Sequence, residues 1–185
     1  MTGVLELHYY TDGACPGNGT ESARGGMGVY IVAAAITQDR SHKMGTISLP
    51  WDEASVTNFG EPTNQKCELM AICLALTHLL KTTEDDFFEE SRKDLDDHNF
   101  GVRVFSDSKY CIDGLNTWMH NWKKNGWINA KKKPVKNQEI WKGIDAVRQR
   151  LDKLLYITFH HVPGHSGIKG NEMADTLARH AVPSE

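Results

Sequence analysis

The chain has 185 residues, of which 39% are hydrophobic and 24% charged, with a formal net charge of −3. These values are typical of one soluble globular domain that is long enough to bury a core. No apolar run approaches the ~18 residues of a membrane span and no signal-peptide layout is present. We therefore expect an intracellular protein with no membrane partner, in the cytoplasm or, in a eukaryote, the nucleus or an organelle.

Charge is distributed unevenly along the chain. Residues 84–97 contain eight acidic and two basic side chains, a local charge of −6, which leaves +3 for the remainder. Residues 123–136 contain six lysines and no acidic side chain. The net charge argues weakly against a nucleic-acid partner, but this segregation favours one. The four cysteines have no CxxC spacing and indicate neither a zinc site nor a disulfide framework.

The first predicted elements are strands. An apolar run ends at Asp12-Gly13 and leads into a tight glycine-containing loop. Two further strands are predicted at residues 29–36 and 43–49. Residues 50–63 contain two prolines and a glycine, which indicates an irregular loop.

The clearest helix signal is the apolar stripe from Leu69 to Leu80. The acidic residues 82–100 are predicted to form a solvated, partly disordered surface insertion. The remaining elements are a strand that ends at Asp107, helices at 108–114, 116–122, 138–151 and 171–180, and a strand at 154–161. This order favours an α/β layered sheet in a single domain, residues 1–185.

Two of the predicted strands end in the same way, on an aspartate beside a small residue. An isolated aspartate at a strand end is more often a turn former. If these strands are parallel neighbours, however, their carboxyl ends share the edge where open α/β sheets place their sites. Asp12 and Asp107 would then repel each other unless a cation holds them, so the pattern predicts a divalent metal site.

Two more carboxylates lie at element ends rather than on solvated faces. Glu68 is in the first turn of its helix, where the helix dipole favours an acid with or without a function. Asp175 lies at the edge of the apolar stripe of the last helix. Such an all-oxygen set suits Mg²⁺ and not zinc. Two such ions about 3.5–4 Å apart can activate a water and stabilise the leaving oxygen of a phosphodiester.

Five segments carry a resemblance to a known family: Tyr10-Thr11-Asp12-Gly13-Ala14, Asn64-Gln65-Lys66-Cys67-Glu68-Leu69, Phe105-Ser106-Asp107-Ser108, Trp118-Met119-His120-Asn121-Trp122-Lys123-Lys124-Asn125-Gly126-Trp127, and Gly164-His165-Ser166-Gly167 with Gly170-Asn171-Glu172-Met173-Ala174-Asp175. These segments resemble type 1 ribonuclease H, from near residue 4 to near residue 181. The resemblance implies the ribonuclease H-like fold, a five-stranded mixed sheet of three antiparallel and then parallel strands, flanked by helices.

The resemblance also implies an activity, the endonucleolytic hydrolysis of the RNA strand of RNA–DNA hybrids, which leaves 5′-phosphate and 3′-hydroxyl ends. Asp12 would bridge two Mg²⁺ ions, for which Mn²⁺ can substitute, and Glu68, Asp107 and Asp175 would complete their shells. His165 would assist proton transfer and product departure, whereas without its neighbouring motif it would be a solvent-facing loop residue. A monomer without an organic cofactor is expected.

Two sets of substrate contacts are implied by the resemblance. The RNA strand would be recognised through its 2′-hydroxyls by Cys15, Gly17, Asn18, Asn64 and Gln65. The DNA strand would lie against Tyr110, Trp118 and Trp122, with a phosphate near Thr63 and Asn137. Trp118 and Trp122 share one helix face, which fits a hydrophobic core equally well.

The lysine-rich stretch, with Lys123 and Lys124, resembles the basic protrusion of the family, here at about 118–137. Lysine contacts to phosphates give sequence-independent, salt-sensitive affinity, whereas a merely solvated loop would contribute almost none. Glu61 is a departure, because some members have an arginine there at the DNA-phosphate pocket, so that pocket is expected to be weaker. The inserts at about 38–62 and 82–100 have no assigned role, and no N-terminal hybrid-binding domain is expected.

Three other interpretations compete with a free-standing ribonuclease H. They are a noncatalytic hybrid-binding module, the nuclease portion of a reverse-transcriptase polyprotein, and a metal-dependent exonuclease that acts on free ends. The complete set of four acids with His165 favours catalysis, and a Met close to the first strand favours a free-standing enzyme.

Overall fold

The computed structural model describes residues 5–35, 40–84 and 100–184. Its centre is a five-stranded sheet in the order β3-β2-β1-β4-β5. The strands are β1 (Leu5–Ala14), β2 (Gly26–Ala35), β3 (Arg40–Pro50), β4 (Phe100–Ser106) and β5 (Ile157–His161). The first three strands are antiparallel, and β4 and β5 continue the sheet parallel to β1. The predicted mixed sheet is confirmed.

Six α-helices flank the sheet in the described part of the chain: α1 (Glu53–Phe59), α2 (Asn64–Thr83), α3 (Lys109–Asp113), α4 (Met119–Lys124), α5 (Gln138–Leu151) and α6 (Lys169–Ala181). A π-helical turn at Gly114–Trp118 joins α3 to α4. None of the helices within the described ranges has the length and apolar character needed to cross a membrane.

The sheet has a different core on each face because side chains alternate along its strands. Val29 and Ile31 of β2 belong to the main core with α2 and α5, whereas Tyr30 and Val32 pack with Ala174 of α6. The predicted stripe of α2 forms the centre of the main core and is almost fully buried. Each large apolar side chain buried there contributes about 1.5–3 kcal/mol.

The prediction of an irregular loop at 50–63 is wrong, because α1 lies within it. No residue of α1 is buried, so the helix lacks the apolar periodicity by which α2 is recognised. Its ends are set by local chemistry instead. The Oδ1 of Asp52 accepts a hydrogen bond from the N–H of Ser55 at 2.8 Å, and Gly60 ends the helix with a φ of +72°.

Other boundaries differ less from the predictions. The strand predicted from residue 154 begins at Ile157, and the helices predicted at 108–114 and 116–122 form one continuous helical segment. The helix predicted around 69–80 is longer and includes residues 82–83 of the predicted acidic insertion. Residues 85–99 of that insertion lie outside the described residues.

Helix α6 lies directly on β2 because β2 has glycines where the helix backbone approaches. A Cβ at Gly28 would lie 2.2 Å from the carbonyl oxygen of Ala174 and 2.5 Å from the nitrogen of Ala178. Neither backbone atom can move without displacing the helix. The glycine therefore fixes the height of α6 above the sheet, and with it the position of Asp175.

We expect Gly28→Ala to lower the free energy of unfolding by about 1–3 kcal/mol, because the added methyl group overpacks this contact. Gly143→Ala is the matched control, since Gly143 lies inside α5 and a methyl group added there would meet no atom within 4 Å among the described residues. That variant should gain about 0.5–1 kcal/mol from helix propensity. Urea unfolding of both variants measures the difference, and equal stabilities would contradict this explanation of the packing.

Candidate active site

Asp12 and Asp107 meet at the carboxyl edge of the sheet. The parallel pairing of β1 with β4 ends at Thr11 and Ser106, so the next residue of each chain segment is one of the two aspartates. Asp12 is buried, and its Oδ1 accepts a hydrogen bond from the N–H of Gly13 at 2.8 Å. The predicted parallel arrangement of these two strand ends is confirmed.

Glu68 joins them because β1 and α2 touch backbone to backbone. A Cβ at Gly13 would lie 2.3 Å from the nitrogen of Glu68. Thr63 caps α2 one turn earlier by accepting a hydrogen bond from the N–H of Lys66 at 3.2 Å. As a result, Asp12, Glu68 and Asp107 each place a carboxylate oxygen within 4.8 Å of the others.

The electrostatics of this group favour a bound cation. Burial raises the pKa of Asp12 to about 7, with a further contribution from the negative charge of Asp107. Burial likewise raises the pKa of Glu68 well above 4.5, with contributions from both aspartates. The Oε2 atom of Glu68 is buried and has no hydrogen-bond partner among the described residues. A hard divalent cation with oxygen ligands fits these atoms, because it neutralises the repulsion and binds the unpaired oxygen.

Asp175 lies beside this group on α6. It is close enough to Asp12 for its charge to raise the Asp12 pKa. Its Oδ2 also forms an ion pair with Nη2 of Arg179 at 2.7 Å, one helical turn later. Asp175 is therefore placed between the three-carboxylate group and a cationic side chain.

His165 lies in the loop between β5 and α6, where it is exposed with a φ of +50°. The same loop touches the carboxylate group. A Cβ at Gly164 would lie 2.9 Å from Oδ2 of Asp107, so this close approach requires glycine. The loop that carries His165 is thus packed against one of the acids.

The predicted RNA-strand contacts lie on two adjoining segments. Oδ1 of Asn18, in the loop after β1, accepts a hydrogen bond from the N–H of Asn64 at the start of α2, at 3.2 Å. Gly17 has a φ of +70°, Cys15 is buried, and Oε1 of Gln65 is buried without a hydrogen-bond partner in the described ranges. The hydrogen bond between Asn18 and Asn64 thus joins the segment that follows Asp12 to the segment that precedes Glu68.

The predicted DNA-strand aromatics form one cluster with Trp141 of α5. The ring of Trp122 lies 5.8 Å from that of Trp118 and 5.4 Å from that of Trp141, measured between centroids. The hydroxyl of Tyr110 accepts a hydrogen bond from Nε1 of Trp141 at 3.0 Å. Trp122 packs against the core, as the hydrophobic-core interpretation of this helix face predicts. Trp118 is 36% exposed and lies on an accessible surface.

Asn137 immediately precedes α5 with a φ of +59°, and its Nδ2 is buried without a hydrogen-bond partner among described residues. An open cavity of about 350 Å³ is lined by Asn137, Lys66 and residues of α1 and α5. Lys66 donates a hydrogen bond from Nζ to the carbonyl oxygen of Glu61 at 2.5 Å. A cationic side chain therefore lies near the place where Glu61 departs from the family pattern.

The first two predicted lysine contacts differ in their surroundings. Nζ of Lys123 lies 2.7 Å from Oδ1 of Asp145, a buried carboxylate of α5. Gln149 donates a hydrogen bond to the other oxygen of Asp145 at 2.7 Å. Lys124 is exposed at the end of α4. Lys123 thus ties the lysine-rich stretch to α5.

Asn171 and Arg179 have no predicted role, yet both contact the acids directly. Asn171 donates a hydrogen bond from Nδ2 to Oδ2 of Asp107 at 3.2 Å, and Arg179 pairs with Asp175. The spacing of Asp175 and Arg179, four residues apart on a helix, could have indicated the second contact. The first depends on how α6 is placed against β4, which no local pattern shows.

Comparison with known proteins agrees with this geometry. A sequence model of the family described as RNase H matches residues 5–183. The chain belongs to the RNase H family. It is 35% identical to the Ribonuclease H of Cereibacter sphaeroides over 177 residues, covering 94% of this chain and 93% of the relative. It is 38% identical to the Ribonuclease H of Alcanivorax borkumensis, covering 94% and 89%.

Solved structures share the fold. The PFV RNase H domain has a TM-score of 0.68 at 27% identity, covering 96% of this chain and 94% of that domain. The RNase H1 named LC9, described as a type 1 RNase H with the type 2 active-site motif, has a TM-score of 0.67 at 23% identity, covering 96% and 72%. A foamy viral protease-reverse transcriptase in complex with RNA/DNA hybrid has a TM-score of 0.66 at 23% identity, covering 95% and 20%.

Removing one charge from the carboxylate group should stabilise the cation-free protein. We expect Glu68→Gln in EDTA to raise the melting temperature by about 2–4 °C for each kcal/mol of repulsion relieved. The rise should be largest at alkaline pH, because the raised pKa of Glu68 leaves more of its carboxyl protonated and uncharged as the pH falls. Excess Mg²⁺ should raise the melting temperature of the unsubstituted protein more than that of the variant. Differential scanning calorimetry measures both effects.

Glu139→Gln is the control, because Glu139 also lies in the first turn of a helix but is exposed. Its melting temperature should change little in either buffer. A lower melting temperature of Glu68→Gln in EDTA would contradict the repulsion that we infer.

Proposed function

We propose that this member of the RNase H family hydrolyses the RNA strand of RNA–DNA hybrids at internal positions, with two Mg²⁺ ions, leaving 5′-phosphate and 3′-hydroxyl ends. One observation carries the metal part of the proposal. Three carboxylates from separate segments of the chain place oxygens within 4.8 Å of one another, and a buried oxygen of Glu68 has no hydrogen-bond donor in the described part of the chain. Family membership supports the hydrolytic activity.

The four acids would divide the work of cation binding. Asp12, whose pKa is raised by the charges of Asp107 and Asp175, would hold both ions together with Glu68, Asp107 and Asp175. When bound, the ions activate a water and stabilise the leaving oxygen of the phosphodiester. The rigid backbone contact between Gly13 and Glu68 holds the carboxylates in position before the substrate binds, so little reorganisation is needed.

The residues around the acids support recognition of a hybrid rather than of single strands. The loop at Cys15–Asn18 and the start of α2 offer polar groups beside the acids for the 2′-hydroxyls of RNA. Trp118 and the lysine-rich stretch would receive the DNA strand on a separate surface. The fold-related foamy viral protein was solved in complex with RNA/DNA hybrid, which supports this substrate.

His165 would serve the reaction from the solvent-exposed side of the site. His165 is exposed in the loop in which Gly164 packs against Asp107, which supports a position of its ring near a phosphate bound at the acids. From that position an imidazole can transfer a proton to the departing 3′-oxygen or assist release of the product. A monomer and an intracellular location stay predictions.

Removal of one catalytic charge should abolish cleavage while the fold is retained. We expect Asp12→Asn and Asp107→Asn to reduce Mg²⁺-dependent cleavage by about 1,000-fold or more, because the bound cations stabilise the transition state by several kcal/mol. The control is Asp113→Asn, an aspartate that pairs with Lys109 on the surface of α3 at 2.9 Å. Full turnover by either active-site variant would break the assignment.

An internally labelled hybrid separates the proposal from two of its competitors, the exonuclease and the noncatalytic binding module. Cuts at internal positions in the RNA strand, with intact single-stranded RNA, double-stranded RNA and duplex DNA, are the expected result. Products released only from free ends would favour an exonuclease, and tight binding of the hybrid without cleavage would favour a binding module.

The two lysines at the end of α4 should respond differently to substitution. Lys124→Ala should weaken hybrid binding and reduce the slope of log affinity against log salt by about 1, as expected for one lost phosphate contact. Lys123→Ala leaves buried Asp145 without its cation, and should lower the free energy of unfolding by about 1 kcal/mol or more. Fluorescence anisotropy across a salt series, with urea unfolding, measures both. An unchanged salt slope in Lys124→Ala would show that this stretch is only solvated.

A further inference from the structure

The side chain of Asn171 is buried next to the carboxylate group. It lies in the first turn of α6 and is 3% exposed. Its Nδ2 donates a hydrogen bond to Oδ2 of Asp107 at 3.2 Å, but its buried Oδ1 has no hydrogen-bond partner among the residues that the structure describes. Burial of a carbonyl oxygen without a hydrogen-bond donor destabilises a folded protein. The unpaired Oδ1 of Asn171 therefore requires an explanation.

Asp107, which accepts the hydrogen bond from Asn171, also has close neighbours from the loop after β5 and from the end of β5. Gly164, in the loop after β5, approaches Oδ2 of Asp107 so closely that a Cβ would lie 2.9 Å from it. Nε2 of His161 lies 3.1 Å from the main-chain oxygen of Asp107. Because α6 and this loop both contact Oδ2, rotation of the Asp107 carboxylate is restricted.

We propose that Asn171 is a positioning residue for the reaction. Its Nδ2 fixes the rotation of Asp107, so that the second carboxylate oxygen is presented to a divalent cation. Its Oδ1 accepts a hydrogen bond from a water that enters with that cation, since Mg²⁺ keeps several of its waters when it binds to proteins. This inference rests on the proposed function, because orienting a cation ligand matters only if the cation binds.

The chemistry of an amide suits both tasks. It offers a donor and an acceptor at once and adds no charge to a site that already contains four acids. Groups that orient the ligands of a metal change metal affinity or activity about 10–100-fold when they are removed. A purely structural alternative is that Asn171 only fastens α6 to the end of β4, in which case its loss would affect stability rather than cation binding.

Four proteins separate these roles: the unsubstituted full chain, Asn171→Ala, Asn171→Ser and the control Asn116→Ala. Serine retains a hydroxyl but is too short to replace the amide contact. Nδ2 of Asn116 donates a hydrogen bond to the main-chain oxygen of Phe159 at 3.0 Å, so the control loses a side-chain amide bond that involves none of the acids. Mn²⁺ binding to the free proteins is measured by electron paramagnetic resonance, with the melting temperature in EDTA, and with kcat and KM on a labelled hybrid.

We expect Asn171→Ala and Asn171→Ser to bind Mn²⁺ about tenfold more weakly or worse, and to lose at least as much in kcat. KM for the hybrid should change less than about threefold, because no hybrid contact is removed. The melting temperature in EDTA should stay close to that of the unsubstituted protein, since the substitutions also remove the unpaired oxygen. Asn116→Ala should retain Mn²⁺ affinity and kcat.

Unchanged Mn²⁺ affinity and kcat in both Asn171 variants would overturn the proposal, provided that the unsubstituted protein binds Mn²⁺ and cleaves the hybrid. Failure of both variants to fold, seen by circular dichroism, would also overturn it, because the fold itself would then need the amide. If the unsubstituted protein binds no Mn²⁺ and cleaves no hybrid, the proposed function fails instead.

Discussion

Mutual repulsion among closely spaced carboxylates is the constraint on which the rest of this structure depends. Asp12, Glu68 and Asp107 each place a carboxylate oxygen within 4.8 Å of the others. The pKa values of Asp12 and Glu68 are raised by burial and by the charges of their neighbours. Close backbone contacts hold these carboxylates together despite their repulsion. Gly13 lets β1 touch α2, and Gly28 lets α6 touch β2, so the positions of the acids are set by close main-chain contacts rather than by the acids themselves. The repulsion lowers the stability of the cation-free protein, but the carboxylates are already in position when a cation binds.

The residues proposed to recognise a hybrid lie in two parts of the chain. The loop after β1 and the start of α2 are joined by the bond between Asn18 and Asn64, and they lie beside the acids where an RNA strand would be cut. The aromatic cluster and the lysine-rich stretch lie on α3 to α5, and they are fastened to the core through Trp122, Trp141 and the Lys123–Asp145 pair. In the proposed function, the first of these parts would position RNA and the second would bind DNA.

Much of the fold and of the acidic group could be predicted from the sequence, because both leave local patterns of residue types along the chain. The stripe of α2 predicts a core helix, and the repeated strand ends at Asp12 and Asp107 predict two acids at one edge, provided that the strands are parallel. Other features were not accessible. Helix α1 buries no residue and is defined by its caps, so periodicity missed it. The contact of Asn171 with Asp107, and the pairing of Lys123 with Asp145, depend on distant elements that meet only in the folded chain.

The most direct test of the central claim is to locate cations in crystals. Crystals of the protein with an uncleavable hybrid and Mn²⁺ should show two anomalous-scattering peaks at the carboxylates, one on either side of Asp12. Two peaks there would establish that these acids bind the ions over a phosphate of the RNA strand. An active protein whose crystals show no peak at Asp12, Glu68 and Asp107, or whose ions lie elsewhere on the hybrid, would contradict it.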